Sequence, residues 1–409
     1  MKKLSNNNSD QTVMAGKRFT QADFDRITDR QGTNSIKWDA RDQVFDNPDV
    51  VPLWVADMDF ETPAFIRERI ARRLEHPILG YTYRSERFAG SFISWVNRRH
   101  HWEVDPEWVV FMPGVVPAVS VAVLAYTDPG DEVIIQPPVY HPFYFCVEGH
   151  NRKLILNPLK TINGRFTFDL ELLRQQITPK TRLLILSNPH NPGGTAWSAE
   201  ELASLAAICQ ETGVRILSDE IHSDLTYPPG HHTPAVTAAS NYAHRIITAM
   251  APSKTFNMAG MSTSILVIPD PKERKTYADL VYTLHVGMGN VFGFEALQAA
   301  YEEGDQWLDE LLTYLKGNRD YLHQFLQAEL PMITMMVPDA TYLAWLDFRG
   351  LGLEQKALED FLVTKAGIGL NIGTQFGPGG EGFMRLNFGC PRSLLQQALT
   401  QLKEAVNNL

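Results

Sequence analysis

The sequence predicts an α/β fold: a mostly parallel sheet with helices on both faces, joined to a smaller α+β domain. Two observations carry this. Between about Pro106 and Asp270, short β-branched runs alternate with helical patterns, and near-continuous apolar strands of this kind are buried on both faces. After about Gly304 the pattern changes to a long helical stretch, Trp307 to Gln327, followed by short strands.

The elements follow in order. "WVVFMP" leads into "GVVPAVSVAVLAYT". The apolar run Val109 to Tyr126 has the length of a membrane span, but Pro113, Gly114, Pro117 and Ser120 interrupt it, which predicts a strand, a turn and a buried helix. "DEVIIQPP", "RKLILNPL" and "TRLLILSNPHNPGG" read as further strands and the loops after them. "SAEELASLAAICQETG" reads as an amphipathic helix, with Ser198 as N-cap, Glu201 completing a capping box and Gly213 at its end. "VRILSDEIH", "RIITAMAPSK" and "STSILVIP" continue the sheet, and "TYLAWLDF" and "FMRLNFG" belong to the second region. The expected division is residues 1–15 as a disordered arm, 16–58 as a segment contributing to the small domain, 59–304 as the large domain and 305–409 as the small one.

Composition narrows the classes. The 409 residues are 44% apolar and 21% charged, an ordinary globular balance. The net charge of −10 without a basic cluster argues against nucleic acid as a partner. The start, "MKKLSNNNSDQTVMAG", lacks the apolar core of a secretory signal. Cys146, Cys209 and Cys390 are far apart and fit no metal-ligand spacing. Sparse cysteine suits a reducing compartment, so a cytoplasmic address and no membrane partner are expected.

Ligands in such sheets sit at the carboxyl ends of strands, and three polar sequences lie there: "SNPHNPGG", "SDEIHSDL" and "APSK". Singly, their residues have ordinary readings. Lys254 is a loop lysine, Asp219 an N-cap and Asn191 a turn residue in a Pro/Gly loop. Together, a lysine and a carboxylate beside a phosphate-binding turn meet the needs of pyridoxal phosphate, with the lysine forming a Schiff base and the acid keeping the ring nitrogen protonated. "MPGVVPAV" puts a glycine turn before a helix start, so the backbone N–H groups of Val115 and Val116 are candidates for holding the phosphate.

"SNPHNPGG", "SDEIHSDL", "APSKTFNMAG" and "RLNFGCPR", in this order, resemble the fold-type I pyridoxal-phosphate enzymes of the class I/II aminotransferase superfamily, over nearly all of the chain after about Asn34. The resemblance implies roles by position. Lys254 is the cofactor lysine, Asp219 the partner of the ring nitrogen and Asn191 the donor to the phenolic oxygen. Ser253 adds a hydroxyl to the phosphate. Tyr140 stacks on the ring, where residue type alone allows a core tyrosine. Arg385 grips the substrate carboxylate, where residue type alone allows a surface ion pair. Tyr81 in "LGYTYR" reaches the phosphate of a neighbouring subunit, which implies a homodimer with shared sites; Tyr83 and Arg84 are secondary candidates.

Three departures bear on the reaction. His222 stands where the aminotransferase pattern has a tyrosine, Ser262 where it has an arginine, and "VPLWVADMDFETP" replaces a glycine-rich segment. With these, the chain resembles the PatB/MalY-type cystathionine β-lyase branch, the cysteine-S-conjugate β-lyases. The implied activity is cleavage of S-substituted L-cysteines to a thiol, pyruvate and ammonia. The alternatives are an L-amino-acid aminotransferase and, in another class, a weakly catalytic cofactor-binding regulatory protein. His222 is expected either to assist a proton transfer or to orient the ring.

Overall fold

The computed structural model describes residues 19–409, so the expected arm at 1–15 lies outside the described residues. Seven strands form the central sheet: β1 Val109–Met112, β2 Glu132–Ile135, β3 Lys153–Leu156, β4 Thr181–Ser187, β5 Arg215–Asp219, β6 Ile246–Met250 and β7 Ser264–Val267. Their order is β1-β7-β6-β5-β4-β2-β3. β7 runs antiparallel to both of its neighbours, and the remaining pairs are parallel.

The apolar runs are continuous because both faces are covered. Ile134, Leu184, Ile216 and Ile265 belong to one buried cluster, while Val133, Leu183, Leu217 and Leu266 belong to another. This is the two-residue period of a strand, with each face packing its own helical layer. The run from Val109 resolves into β1 and the helix Val115–Tyr126. Among the described residues, no helix is long and apolar enough to cross a membrane. The helix Ala199–Thr212 carries the Ser198/Glu201 capping box and ends at Gly213, whose φ of 76° is left-handed.

Register positions the site. Ser187 lies beside Asp219, and Asp219 beside Ala249, so β4, β5 and β6 end in one row. Asn191 follows that row by four residues on β4, Asp219 belongs to it, and Lys254 follows it by five residues on β6.

A second sheet, antiparallel throughout, contains β8 Thr334–Met336, β9 Leu343–Asp347, β10 Asn371–Ile372 and β11 Phe383–Asn387, in the order β8-β9-β11-β10. The helix Asp305–Glu329 precedes it and Arg392–Asn407 closes the chain. An early segment is stitched to this region. Val51–Pro52 pairs in parallel with Ile368–Gly369, and the Asn387 backbone N–H donates to the Leu53 carbonyl at 2.9 Å. The Asn387 amide also donates to the carbonyls of Val55 (2.7 Å) and Asp57 (2.6 Å).

Candidate active site

A cavity of about 180 Å³ lies over the carboxyl ends of the strands. Its walls include Val115, Val116, Tyr140, Asn191, Asp219, His222, Ser253 and Lys254. All eight residues that the sequence assigned to a cofactor within one chain therefore converge on one space. A larger cleft of about 1150 Å³ shares Ala56, Tyr140 and Lys254 with it and contains Arg385. Lys254 thus stands at the junction between an inner chamber and an outer one.

Each position has a local cause. Gly114 sits between β1 and the helix Val115–Tyr126 with φ 147°, a conformation that side-chain-bearing residues rarely adopt. The N–H groups of Val115 and Val116 open the helix, where no intrahelical carbonyl is available to them. Pro117 has no N–H to add. The result is a pair of outward-facing amides at the positive helix end, the chemistry of an anion cradle. Thr263 adds a buried hydroxyl without a hydrogen-bond partner on the wall of the same cavity, next to Ser262.

Lys254 lies in the single turn Pro252–Thr255, and its Nζ donates to the Ala56 carbonyl at 2.7 Å. Burial lowers its pKa from 10.5 to about 8, with the charge of Arg385 acting in the same sense and those of Asp57 and Asp219 opposing it. Asp219 is also buried, and burial raises its pKa to about 7 against the opposing effects of the Ile221 N–H and Lys254. Its Oδ1 accepts that Ile221 N–H at 3.1 Å. Among the described residues no cation lies within ion-pair distance of this buried acid. His222 is neutral, because burial lowers its pKa to about 3, and its Nδ1 has no partner.

Arg385 lies on β11 and is only 3% exposed. Its Nη1 donates to Asn191 Oδ1 at 3.0 Å and its Nη2 to Asn371 Oδ1 at 2.6 Å, while Nε has no partner. The guanidinium lies 5.0 Å from the centre of the Phe376 ring. Among the described residues no carboxylate lies within ion-pair distance of it. A buried cation held only by amide oxygens is a site prepared for an external carboxylate. Asn191, on the wall of the inner chamber, therefore ties the two chambers together, its oxygen accepting from Arg385.

The "VADMDF" segment is strapped behind Lys254. Tyr342 donates to the same Ala56 carbonyl at 2.8 Å. Lys37, with no exposure, donates to Asp59 at 2.6 Å and to the Asp57 carbonyl at 3.1 Å. Arg30 pairs with Asp57 and Asp59, each at 2.8 Å.

Sequence reasoning missed Ala56, Asn371, Phe376, Tyr342 and Thr263. Ala56 acts through its carbonyl, which residue type does not advertise. Asn371, on the short strand β10, and Phe376, at the end of the single turn Gly373–Phe376 that follows it, reach Arg385 from a stretch that carries no motif. Tyr81 stands apart: it is 98% exposed and lines neither chamber.

The residues fit pyridoxal phosphate. The inner chamber offers an amine that loses its proton near pH 8, a buried acid short of a cation, an aromatic wall and an amide cradle. Comparison with known proteins agrees. The family model for aminotransferase class I and II matches residues 48–402. Cystathionine beta-lyase PatB of Bacillus subtilis (strain 168) is 45% identical, over 94% of this chain and 100% of its own. The structure of cystalysin from Treponema denticola, which contains a pyridoxal 5'-phosphate cofactor, superposes with a TM-score of 0.91 at 35% identity, covering 94% of this chain and 99% of the other. The PLP-bound C-S lyase from Staphylococcus hominis gives a TM-score of 0.88 at 35% identity, covering 94% and 97%. This chain belongs to the aminotransferase class I and II family.

Proposed function

We propose that this chain is a pyridoxal-phosphate-dependent carbon–sulfur β-lyase that converts S-substituted L-cysteines such as cystathionine, with water, to a thiol, pyruvate and ammonia. The observation that carries the reading is the pairing of Lys254 and Asp219 in one inner chamber, with Arg385 unmatched at its mouth. The names of the relatives, cystathionine beta-lyase and C-S lyase, support elimination over transamination.

The roles follow from the chemistry. Lys254 would hold the cofactor covalently through its ε-amine, and the amides of Val115 and Val116 with the Ser253 hydroxyl would hold its phosphate. Tyr140 would cover a ring face, the Asn191 amide nitrogen would donate to its phenolic oxygen, and Asp219 would pair with the ring nitrogen. When bound, the group supplies an electron sink for the pair left at Cα on proton removal. Arg385 binds the substrate carboxylate and so fixes which bond at Cα faces Lys254. The lowered basicity of Lys254 suits it to take the Cα proton near neutral pH. His222, neutral and adjacent, orients the ring and carries no charge that competes with Asp219.

We also propose a homodimer with shared sites, in which Tyr81 serves the partner's phosphate. The support is an exposed apolar stretch: Ile78, Leu79, Tyr81 and Tyr83 are 67%, 53%, 98% and 83% exposed. Arg84, whose Nη1 donates to the Gly287 carbonyl at 2.7 Å, ties this stretch to the region of Leu284 and Met288, which are also exposed. Such patches mark interfaces. Residues 16–58 together with residues 305–409 are taken as the small domain over the large one, 59–304. The three cysteines, all buried and free, suit the cytoplasm.

The test is L-cystathionine supplied without any keto acid. Pyruvate formed over many turnovers supports the lyase. One turnover that stops with the cofactor in its amine form makes the enzyme an aminotransferase.

A further inference from the structure

Behind the inner chamber lies a buried polar network that the roles above do not use. The end of β5 and the loop after it present Asp219, Ile221 and His222 to the chamber, whereas Glu220 and Asp224 face the interior. Asp224 accepts three hydrogen bonds: from Trp95 Nε1 at 2.9 Å, His100 Nε2 at 2.8 Å and Thr255 Oγ1 at 2.9 Å. Glu220 accepts from Ser218 Oγ at 2.8 Å, the Ala235 N–H at 2.9 Å and His232 Nε2 at 2.7 Å. The two imidazoles meet edge to face, with ring centres 5.3 Å apart. Every member is buried. The network therefore joins β5's loop, the helix Glu86–His100 and the turn that carries Lys254.

Thr255 is the informative member. It directly follows Lys254 in the turn Pro252–Thr255, four residues long and too short to hold its own geometry. Backbone bonds from Phe256 to the Pro252 carbonyl (2.9 Å) and from Met258 to the Ser253 carbonyl (3.0 Å) close the turn on itself. Neither fixes it to the loop that follows Asp219. The Thr255 hydroxyl does, through Asp224, five residues after Asp219. A hydrogen bond to a buried carboxylate is among the stronger neutral-donor bonds in a protein.

We propose that Thr255 is a positioning residue: its hydroxyl, through Asp224 and the carboxylate–imidazole network, sets the placement of Lys254 relative to Asp219. This rests on the cofactor reading above. The strands are already joined where Asp219 lies beside Ala249 and the Glu220 N–H donates to the Ala249 carbonyl at 2.8 Å. But Lys254 lies five residues further on, where small rotations of the turn would carry a long lysine side chain away from its partner. Glu220 performs the matching task on the other side, fixing the strand end next to Asp219 to Ser218, Ala235 and His232.

The test uses the holoenzyme and two spectroscopic readouts: the rate at which the visible cofactor band is lost on dialysis, and the pH midpoint of that band. Thr255→Val keeps the shape and removes the donor; Thr255→Ser keeps the donor. We expect Thr255→Val to release cofactor about tenfold faster, the factor that loss of one charge-assisted hydrogen bond supplies, and to move the midpoint, with Thr255→Ser within about twofold of wild type. Should Thr255→Val not fold, Thr255→Cys, whose S–H is a weak donor, is read in the same way and is expected between the two. If the non-donating variant lowers only the unfolding midpoint and leaves both cofactor readouts at wild-type values, Thr255 is structural and the inference falls while the cofactor reading stands. If the wild-type protein forms no visible band with pyridoxal phosphate, the cofactor reading falls first.

Discussion

Replacing Asp219 by Asn isolates the cost of burying this acid. In the cofactor-free protein, burial raises its pKa from the ordinary 3.8 to about 7. Across that window the folded chain keeps a proton that the unfolded chain has lost. The acid's contribution is therefore fully present below about pH 4 and is lost as pH rises to about 7. At about 1.36 kcal/mol per pH unit, the wild-type chain loses roughly 3 kcal/mol between pH 5 and pH 8 through this group. The Asn variant has nothing to ionise there and keeps it. Other groups titrate in the same range: His190 and His222, both lowered to about 3 by burial, add stability as pH rises through 3 to 6.5. They are common to both proteins, so the difference between the two is the quantity to measure. Urea unfolding of the cofactor-free proteins at pH 5, 6, 7 and 8 should show the stability of Asp219→Asn relative to wild type growing by about 3 kcal/mol. Saturating pyridoxal phosphate should abolish this growth, because a cationic ring nitrogen compensates the carboxylate. A difference that stays flat with pH in the cofactor-free proteins would refute the claim that Asp219 is a buried acid waiting for a cation.

Three further outcomes follow from the same geometry. Because the amine must be unprotonated to attack the cofactor's aldehyde, stopped-flow loading of the cofactor-free protein should speed up with pH to a midpoint near 8; a midpoint near 10.5 would mean that Lys254 is not held in a dry site. Arg385→Lys should raise KM for the amino-acid substrate about 10- to 100-fold, since an ammonium cannot reproduce the guanidinium fork, and an unchanged KM in initial-rate assays would remove Arg385 from the carboxylate site. Lys37→Met should cost about 3 kcal/mol in chemical denaturation by leaving Asp59 one cation short in a buried setting, with a fall in activity because Ala56 loses its strap; wild-type stability and rate together would make the Lys37 cluster irrelevant to the site.

Much of this arrangement was legible in the sequence, for physical reasons. The sheet announced itself through apolar runs, since strands covered on both faces have little room for polar residues. The helix Ala199–Thr212 was readable from both ends, because the Ser198/Glu201 box and Gly213 satisfy groups that any helix end must satisfy. Lys254, Asp219 and Asn191 were found because the ends of parallel strands converge and register then brings them abreast. What remained hidden acts by backbone or through long-range pairing. The Ala56 carbonyl has no side-chain signature. Asn371 and Phe376 are ordinary residues until β10 pairs with β11 and brings Asn371 opposite Arg385. Asp224 lies within the quoted "SDEIHSDL", yet its partners Trp95, His100 and Thr255 come from two other elements, and their meeting is a product of packing. Glu220 lies in the same quoted stretch, and its hydrogen bonds from Ser218, Ala235 and His232 likewise come from packing that the sequence does not display.

The central claim is that Lys254, a half-buried lysine in the turn after β6, carries the cofactor. Borohydride reduction of the pyridoxal-phosphate-loaded protein, followed by proteolysis and mass spectrometry of the peptides, tests it most directly. The account predicts one pyridoxyl adduct per chain, on the peptide containing Ser253-Lys254-Thr255, and none after Lys254→Ala. An adduct on another lysine, such as the fully buried Lys37, with Lys254 unmodified, would contradict it.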